Sequence, residues 1–165
     1  MHDTIERLLG ANGTRARSVL RASLAAIVPS LLLFALLVAL GIDSLRAPRQ
    51  AIDPAFVVYS VALAPAIETA VMLAAAALLA RLLPQRVLLR IVVLALLAAL
   101  AHRIGGGWRQ VLRTLWPLAV YAGCLVLWLR RSARDAFLVT TLVHMAYNGV
   151  LFAVGYAGML ASDDG

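Results

Sequence analysis

Apolar residues in this chain come in long, nearly unbroken runs, and polar residues gather in short clusters between them. Each run is near the roughly 20 residues that a helix needs to cross a bilayer. The first runs from about Val19 to Ile42 and the second from about Ala55 to Leu83, where Pro84 and Gln85 end it. The third runs from about Val87 to Ile104 and stops at Gly105-Gly106-Gly107. The fourth covers about Val111 to Leu129 and the fifth about Ala136 to Leu160. This pattern predicts an all-α fold, a polytopic membrane helix bundle of about five transmembrane helices. Residues 1–18 then form a cytoplasmic N-terminal segment, 19–160 the transmembrane bundle, and 161–165 a short polar tail.

Pro29, Pro65 and Pro117 lie inside three of the runs. Membrane helices tolerate such prolines where a neighbour satisfies the carbonyl that the missing N–H leaves free. Arg90 interrupts the third run, which crosses only if its guanidinium snorkels to the headgroups; a re-entrant segment is the alternative.

Arginine sets the orientation. Arg7, Arg15, Arg17, Arg21, Arg81, Arg86, Arg90, Arg130, Arg131 and Arg134 fall on one side, and Arg46, Arg49, Arg103, Arg109 and Arg113 on the other. The richer side is cytoplasmic by the positive-inside rule, which puts the N-terminus in the cytoplasm and Asp163 and Asp164 outside. The polar, Arg-bearing start and the length of the first run do not fit a cleavable signal.

Composition strengthens the membrane reading. The chain is 63% hydrophobic, with a mean hydropathy of +0.92. That is too apolar for a water-facing fold, so the lipid bilayer is the solvent for most of it. The net charge of +7 comes from fifteen basic residues, all of them Arg. Their place at the ends of apolar runs is that of membrane-flanking charges, and argues against a nucleic-acid partner. The single cysteine, Cys124, lies within a run and reads as a packing residue.

An ionisable group deep in hydrocarbon is costly and is therefore a candidate for function. Glu68 is the one carboxylate well inside a run, and His102 and His144 are the histidines in runs, His2 lying in the N-terminal segment. Asn148 follows His144 by one helical turn and shares its face. At about 1.5 Å rise per residue, Glu68 is roughly 20 Å from Arg81 and His102 roughly 18 Å from Arg90. His144 and Asn148 are roughly 14 and 20 Å from Asp135 on the same measure. Three helices thus bring these groups to one layer.

That set suits hydrolysis. A carboxylate withdrawn from bulk water can take a proton from an attacking water as general base, with a histidine orienting the water. A second histidine and an asparagine can donate to a developing oxyanion. Glu68, His102 and His144 also make a possible zinc-ligand set, although without the HExxH spacing of zinc metalloproteases. No Ser in a GxSG context is available for a rhomboid-like mechanism.

The order Ala64-Pro65-Ala66-Ile67-Glu68, a helix ending in His102, and His144-Met145-Ala146-Tyr147-Asn148 resembles the CPBP family of intramembrane proteases. That family includes the type II CAAX prenyl proteases and bacterial Abi proteins. The resemblance covers about 60–154. It implies a glutamate-dependent endopeptidase of the bacterial inner membrane, acting on a membrane-embedded or lipid-linked peptide. By position, Glu68 would be the catalytic glutamate, His102 its partner on the water, and His144 with Asn148 the oxyanion site. The family's first motif is EExxxR, where this chain has Thr69 and Leu73 in place of the second Glu and the Arg. The aromatic usual four residues before the second-motif His is Ala98 here, and relatives usually carry more spans. Two alternatives follow: a non-catalytic relative that binds a partner membrane protein for immunity, sorting or assembly, and a proton-coupled transport subunit with Glu68 and the histidines as relay.

The topology is open to cysteine labelling from each side of the membrane. A cysteine introduced near Gly106 is expected to react with impermeant reagent from outside the cell; reaction from the cytoplasm alone refutes the orientation.

Overall fold

The structure, a computed structural model, describes Leu9 and residues 13–40 and 53–163. Most of the 1–18 segment, the end of the first run at Ile42, Arg46 and Arg49 in the loop that follows it, and Asp164 lie outside the described residues. The chain is an all-α polytopic bundle. Its helices are α1 (Arg15–Ala39), α2 (Pro54–Val58), a π turn (Tyr59–Leu63) running into α3 (Ala64–Leu82), α4 (Val87–Ala101), α5 (Arg103–Trp128) and α6 (Ala133–Asp163). Among the described residues four stretches are long and apolar enough to cross a membrane: Arg15–Ala39, Pro54–Leu82, Gly107–Trp128 and Ala133–Gly158.

The distribution of side-chain size on α1 is that of a membrane helix. Ser18, Ala22, Ala26 and Ser30, spaced at four, are buried, while Leu20, Leu24, Val28, Leu32 and Leu36 are exposed. Small residues let backbones approach inside the bundle, and large apolar ones meet lipid outside. On α3, Thr69, Met72 and Ala76 likewise face in, and Ile67, Val71 and Leu78 face out. The core lies along α5, where Leu118, Tyr121, Cys124, Leu125 and Trp128 are buried against α6 residues Val139 and Val143. Cys124 is therefore a packing residue. Leu9 joins this core over Gly123, where a Cβ would collide with its Cδ1.

Thr14 caps α1 by accepting from Arg17 N, and Asp53 caps α2 by accepting from Ala55 N at 2.9 Å, with Pro54 at the first helical position. Pro29 cannot donate to Ala25 O, one turn back. Trp116 of α5 donates its indole N–H to that oxygen at 2.8 Å. The expected repair of a proline-freed carbonyl is thus made by a neighbouring helix.

Arg15 Nη2 lies 2.6 Å from Asp135 Oδ1, so α1 and α6 begin at the same end of the bundle. Parallel first and last helices require an odd number of passes between them, so with the two long apolar stretches Pro54–Leu82 and Gly107–Trp128 each counted as one, α4 supplies the third. It is the short one: its 15 residues span about 22 Å against a hydrocarbon core of about 30 Å. Arg90, expected to snorkel, is buried, and its Nε has no hydrogen-bond partner among the described residues.

The third run was expected to continue to Ile104 and to end at the glycines. Helix α4 closes at Ala101, but His102 keeps right-handed helical angles (φ −69°, ψ −15°) and its N–H still bonds back to Ala98 O, so helical backbone runs on into the glycines and breaks at Gly107. The glycines lie within α5, where Gly107 takes φ +66° and kinks it. That left-handed value suits a residue without Cβ. Arg103 stacks over the Trp108 ring at 4.6 Å and pins the short turn before the kink.

Trp116→Phe removes the donor to Ala25 O while keeping an aromatic ring. It is expected to destabilise the protein by about 1 kcal/mol, the cost of an acceptor left unpaired on the outer face of a span. Adding Pro29→Ala, which restores the helical donor, is expected to recover most of that in denaturation experiments in micelles.

Candidate functional site

Glu68 sits one turn into α3, His102 at the junction of α4 and α5, and His144 and Asn148 on α6. The fold brings the four to one cavity of about 390 Å3. Helix α4 closes at Ala101, which puts His102, the residue joining it to α5, at the depth of Glu68. The π turn with α3 runs antiparallel to α6 here: Ser60 meets Asn148, and Glu68, eight residues on, meets His144, four residues back.

One carboxylate oxygen organises the centre. Glu68 Oε2 is 3.7 Å from His102 Nε2 and 3.7 Å from His144 Nε2. Both separations exceed a direct hydrogen bond, yet are short enough for one water beside the pair to touch both partners. The side chains of Glu68 and His102 are 40% and 28% exposed and that of His144 is 7% exposed, so the carboxylate opens to the cavity while His144 closes its floor.

The two imidazoles are held differently. His102 Nδ1 lies 2.9 Å from Ala98 O, and since a carbonyl only accepts, Nδ1 carries the hydrogen. Neutral His102 therefore presents the lone pair of Nε2 to Glu68. His144 Nδ1 is buried without a hydrogen-bond partner among the described residues. A bare lone pair tolerates that setting better than an N–H does, so His144 carries its hydrogen on Nε2, facing Glu68. One imidazole is an acceptor toward the carboxylate and the other a donor.

Tyr121 of α5 stacks on His144 with centroids 4.4 Å apart and planes at 30°, and meets Tyr147 edge-on at 6.2 Å. Tyr147 is hydrogen-bonded to Ser30, which itself donates to Ala26 O at 2.7 Å. Asn148 Nδ2 donates to Ser60 O at 2.9 Å, which occupies one of its two amide hydrogens. Leu33, Phe34 and Leu37 of α1 and Leu151 and Val154 of α6 give the cavity apolar walls, while Gln110, Arg113 and Thr114 of α5 add a polar side.

The positions that differ from the CPBP pattern are also defined. Thr69 is fully buried with no partner for Oγ1 among the described residues, and Leu73 packs against the core. Ala98 contributes its carbonyl to His102. Tyr121, Ser30 and the Ser60 carbonyl were not singled out from the sequence. Tyr121 carries no spacing signal, and a main-chain acceptor has no sequence signature at all. Among the described residues no three His, Cys, Asp or Glu side chains are grouped to hold a metal ion.

Compared with protein-family models, curated proteins and solved structures, the chain matches none.

The stack on His144 is separable from the Tyr121 hydroxyl, which has no partner among the described residues. Tyr121→Phe is expected to leave thermal stability unchanged. Tyr121→Leu is expected to cost about 0.5–1.5 kcal/mol in lost ring contact and to broaden the His144 ring signals in NMR spectra.

Proposed function

We propose that the protein is a glutamate-dependent intramembrane hydrolase that cleaves a peptide bond in a membrane-embedded or lipid-linked substrate. The observation that carries this is the placement of one Glu68 oxygen 3.7 Å from a ring nitrogen of each of two histidines, within a cavity of about 390 Å3 lined largely by apolar side chains. The resemblance of these motifs to the CPBP proteases supports it, as does the lack of any other carboxylate among the residues lining that cavity.

In this reading a water donates one hydrogen to Glu68 and the other to His102 Nε2. Two acceptors then leave its lone pair aimed at the substrate carbonyl. As the water oxygen bonds to the carbonyl carbon, its proton passes to Glu68. His144 Nε2–H donates to the oxyanion that forms, joined by the second amide hydrogen of Asn148. Glu68 then returns the proton to the amide nitrogen as the C–N bond breaks. The setting is the bacterial inner membrane with the N-terminus in the cytoplasm, as the arginine distribution predicts.

A second reading, a non-catalytic relative that binds a partner membrane protein, is favoured by Thr69 and Leu73. The family's second Glu and its Arg stand one turn apart, and both are neutral here. A site reduced to a hydrogen-bonding pocket would no longer need them.

Substitutions separate the two. Glu68→Gln keeps shape and removes the base, and is expected to lower cleavage of a membrane peptide by about 100- to 10,000-fold while thermal stability stays near that of the parent. His102→Ala is expected to behave similarly, and His144→Ala to cost about 100- to 1,000-fold. Full biological function in cells carrying Glu68→Gln refutes the hydrolase. Chelators are expected to have no effect; zinc-reversible inhibition would make Glu68, His102 and His144 metal ligands.

A further inference from the structure

The backbone just ahead of Glu68 leaves a main-chain oxygen with no donor in its own helix. Between Tyr59 and Leu63 the chain has π register, and Ala64 N–H donates to Tyr59 O, five residues back. In that register Ser60 O falls to the N–H of residue 65. Residue 65 is proline and has none. The orphaned oxygen takes its hydrogen bond from Asn148 Nδ2 at 2.9 Å, across from α6. Ser60's own hydroxyl is turned the other way, donating to Phe56 O at 2.7 Å.

Glu68 follows Pro65 by three residues, or about 4.5 Å of helix. Asn148 lies one turn from His144 on α6, and His144 Nε2 faces Glu68 Oε2 at 3.7 Å. Helix α6 therefore meets α3 at two adjacent points: Asn148 at the Ser60 carbonyl and His144 at the carboxylate. Gly149, next to Asn148, leaves a Cβ position only 3.7 Å from Val61, so the helices are close at this level. These two contacts, four residues apart on α6 and eight apart on the facing chain, fix both the depth and the rotation of α3.

We propose that Asn148 is a positioning residue: by supplying the donor that Pro65 lacks, it holds the π turn in the register that sets Glu68 between His102 and His144. Its effect on hydrolysis rests on the function proposed above; the placement of Glu68 does not. This role differs from oxyanion donation, because it depends on Pro65. An oxyanion donor acts on substrate whatever stands at position 65. A positioning donor becomes dispensable once residue 65 has an N–H of its own.

The experiment compares Asn148→Ala, Pro65→Ala and the double variant of the full chain in micelles, reading the infrared carboxyl band of Glu68, assigned by its loss in Glu68→Gln. Asn148→Ala is expected to shift the band and to lower cleavage by about 100-fold, as a misplacement of about 1 Å can do. The double variant is expected to recover the parent band, with cleavage restored only as far as the lost oxyanion donor allows. A general loss of packing would lower thermal stability without a band shift that Pro65→Ala reverses. An unmoved band in Asn148→Ala, or no recovery in the double variant, overturns the proposal. If Pro65→Ala does not fold, Asn148→Asp serves: it matches the shape, cannot donate when ionised, and must shift the band. Absence of cleavage in the parent protein refutes the hydrolase, while the band still decides the role of Asn148.

Discussion

In hydrocarbon no water is present to take up a carbonyl that a helix leaves unbonded, and much of this bundle is arranged around that constraint. Two prolines each cost a span one main-chain donor, and at each a side chain from another helix answers. Trp116 reaches Ala25 O behind Pro29, and Asn148 reaches Ser60 O ahead of Pro65. Neither bond is local: α5 is thereby fastened to α1 and α6 to α3. The hydrophobic effect contributes little to association between helices already in lipid, so such directional bonds and the close contact of small residues decide which faces meet.

The candidate site follows from the same arrangement. Helix α6 carries Asn148 and His144 on one face, and α3 carries Ser60 and Glu68, so the bond at the π turn and the meeting of carboxylate and imidazole share one interface. His102 reaches that interface from a third element because α4 ends early. The asymmetry of the imidazoles comes from their anchors: a backbone carbonyl holds Nδ1 of His102, and a dry, stacked setting surrounds His144.

Much of this was legible in the sequence, and the limits have physical causes. Run length and arginine placement gave the spans because a bilayer imposes a length and a polarity on any helix crossing it. The common layer of Glu68, His102 and His144 followed from helical rise alone, since rise is fixed while lateral direction is not. The glycine run predicts the stop of the third run, and the left-handed residue within it, Gly107, is where the helical backbone breaks. The Ser60 carbonyl escaped notice because it becomes an acceptor only through the π register, which Pro65 hints at but does not specify. Thr69 and Leu73 were visible as departures, and burial gives them a physical sense. A Glu and an Arg one turn apart there would set an ion pair against the core, and losing both together leaves no charge unpaired.

The brevity of α4 also acts on the surrounding lipid. Its outer face presents Leu88, Leu89, Val92, Leu96, Leu97 and Leu100, an apolar band about 8 Å shorter than the hydrocarbon it borders. A bilayer meets such a mismatch by thinning, at fractions of a kcal/mol per ångström. Thinning of that kind beside α4 would draw headgroups and their hydration inward toward the end of the helix where His102 lies.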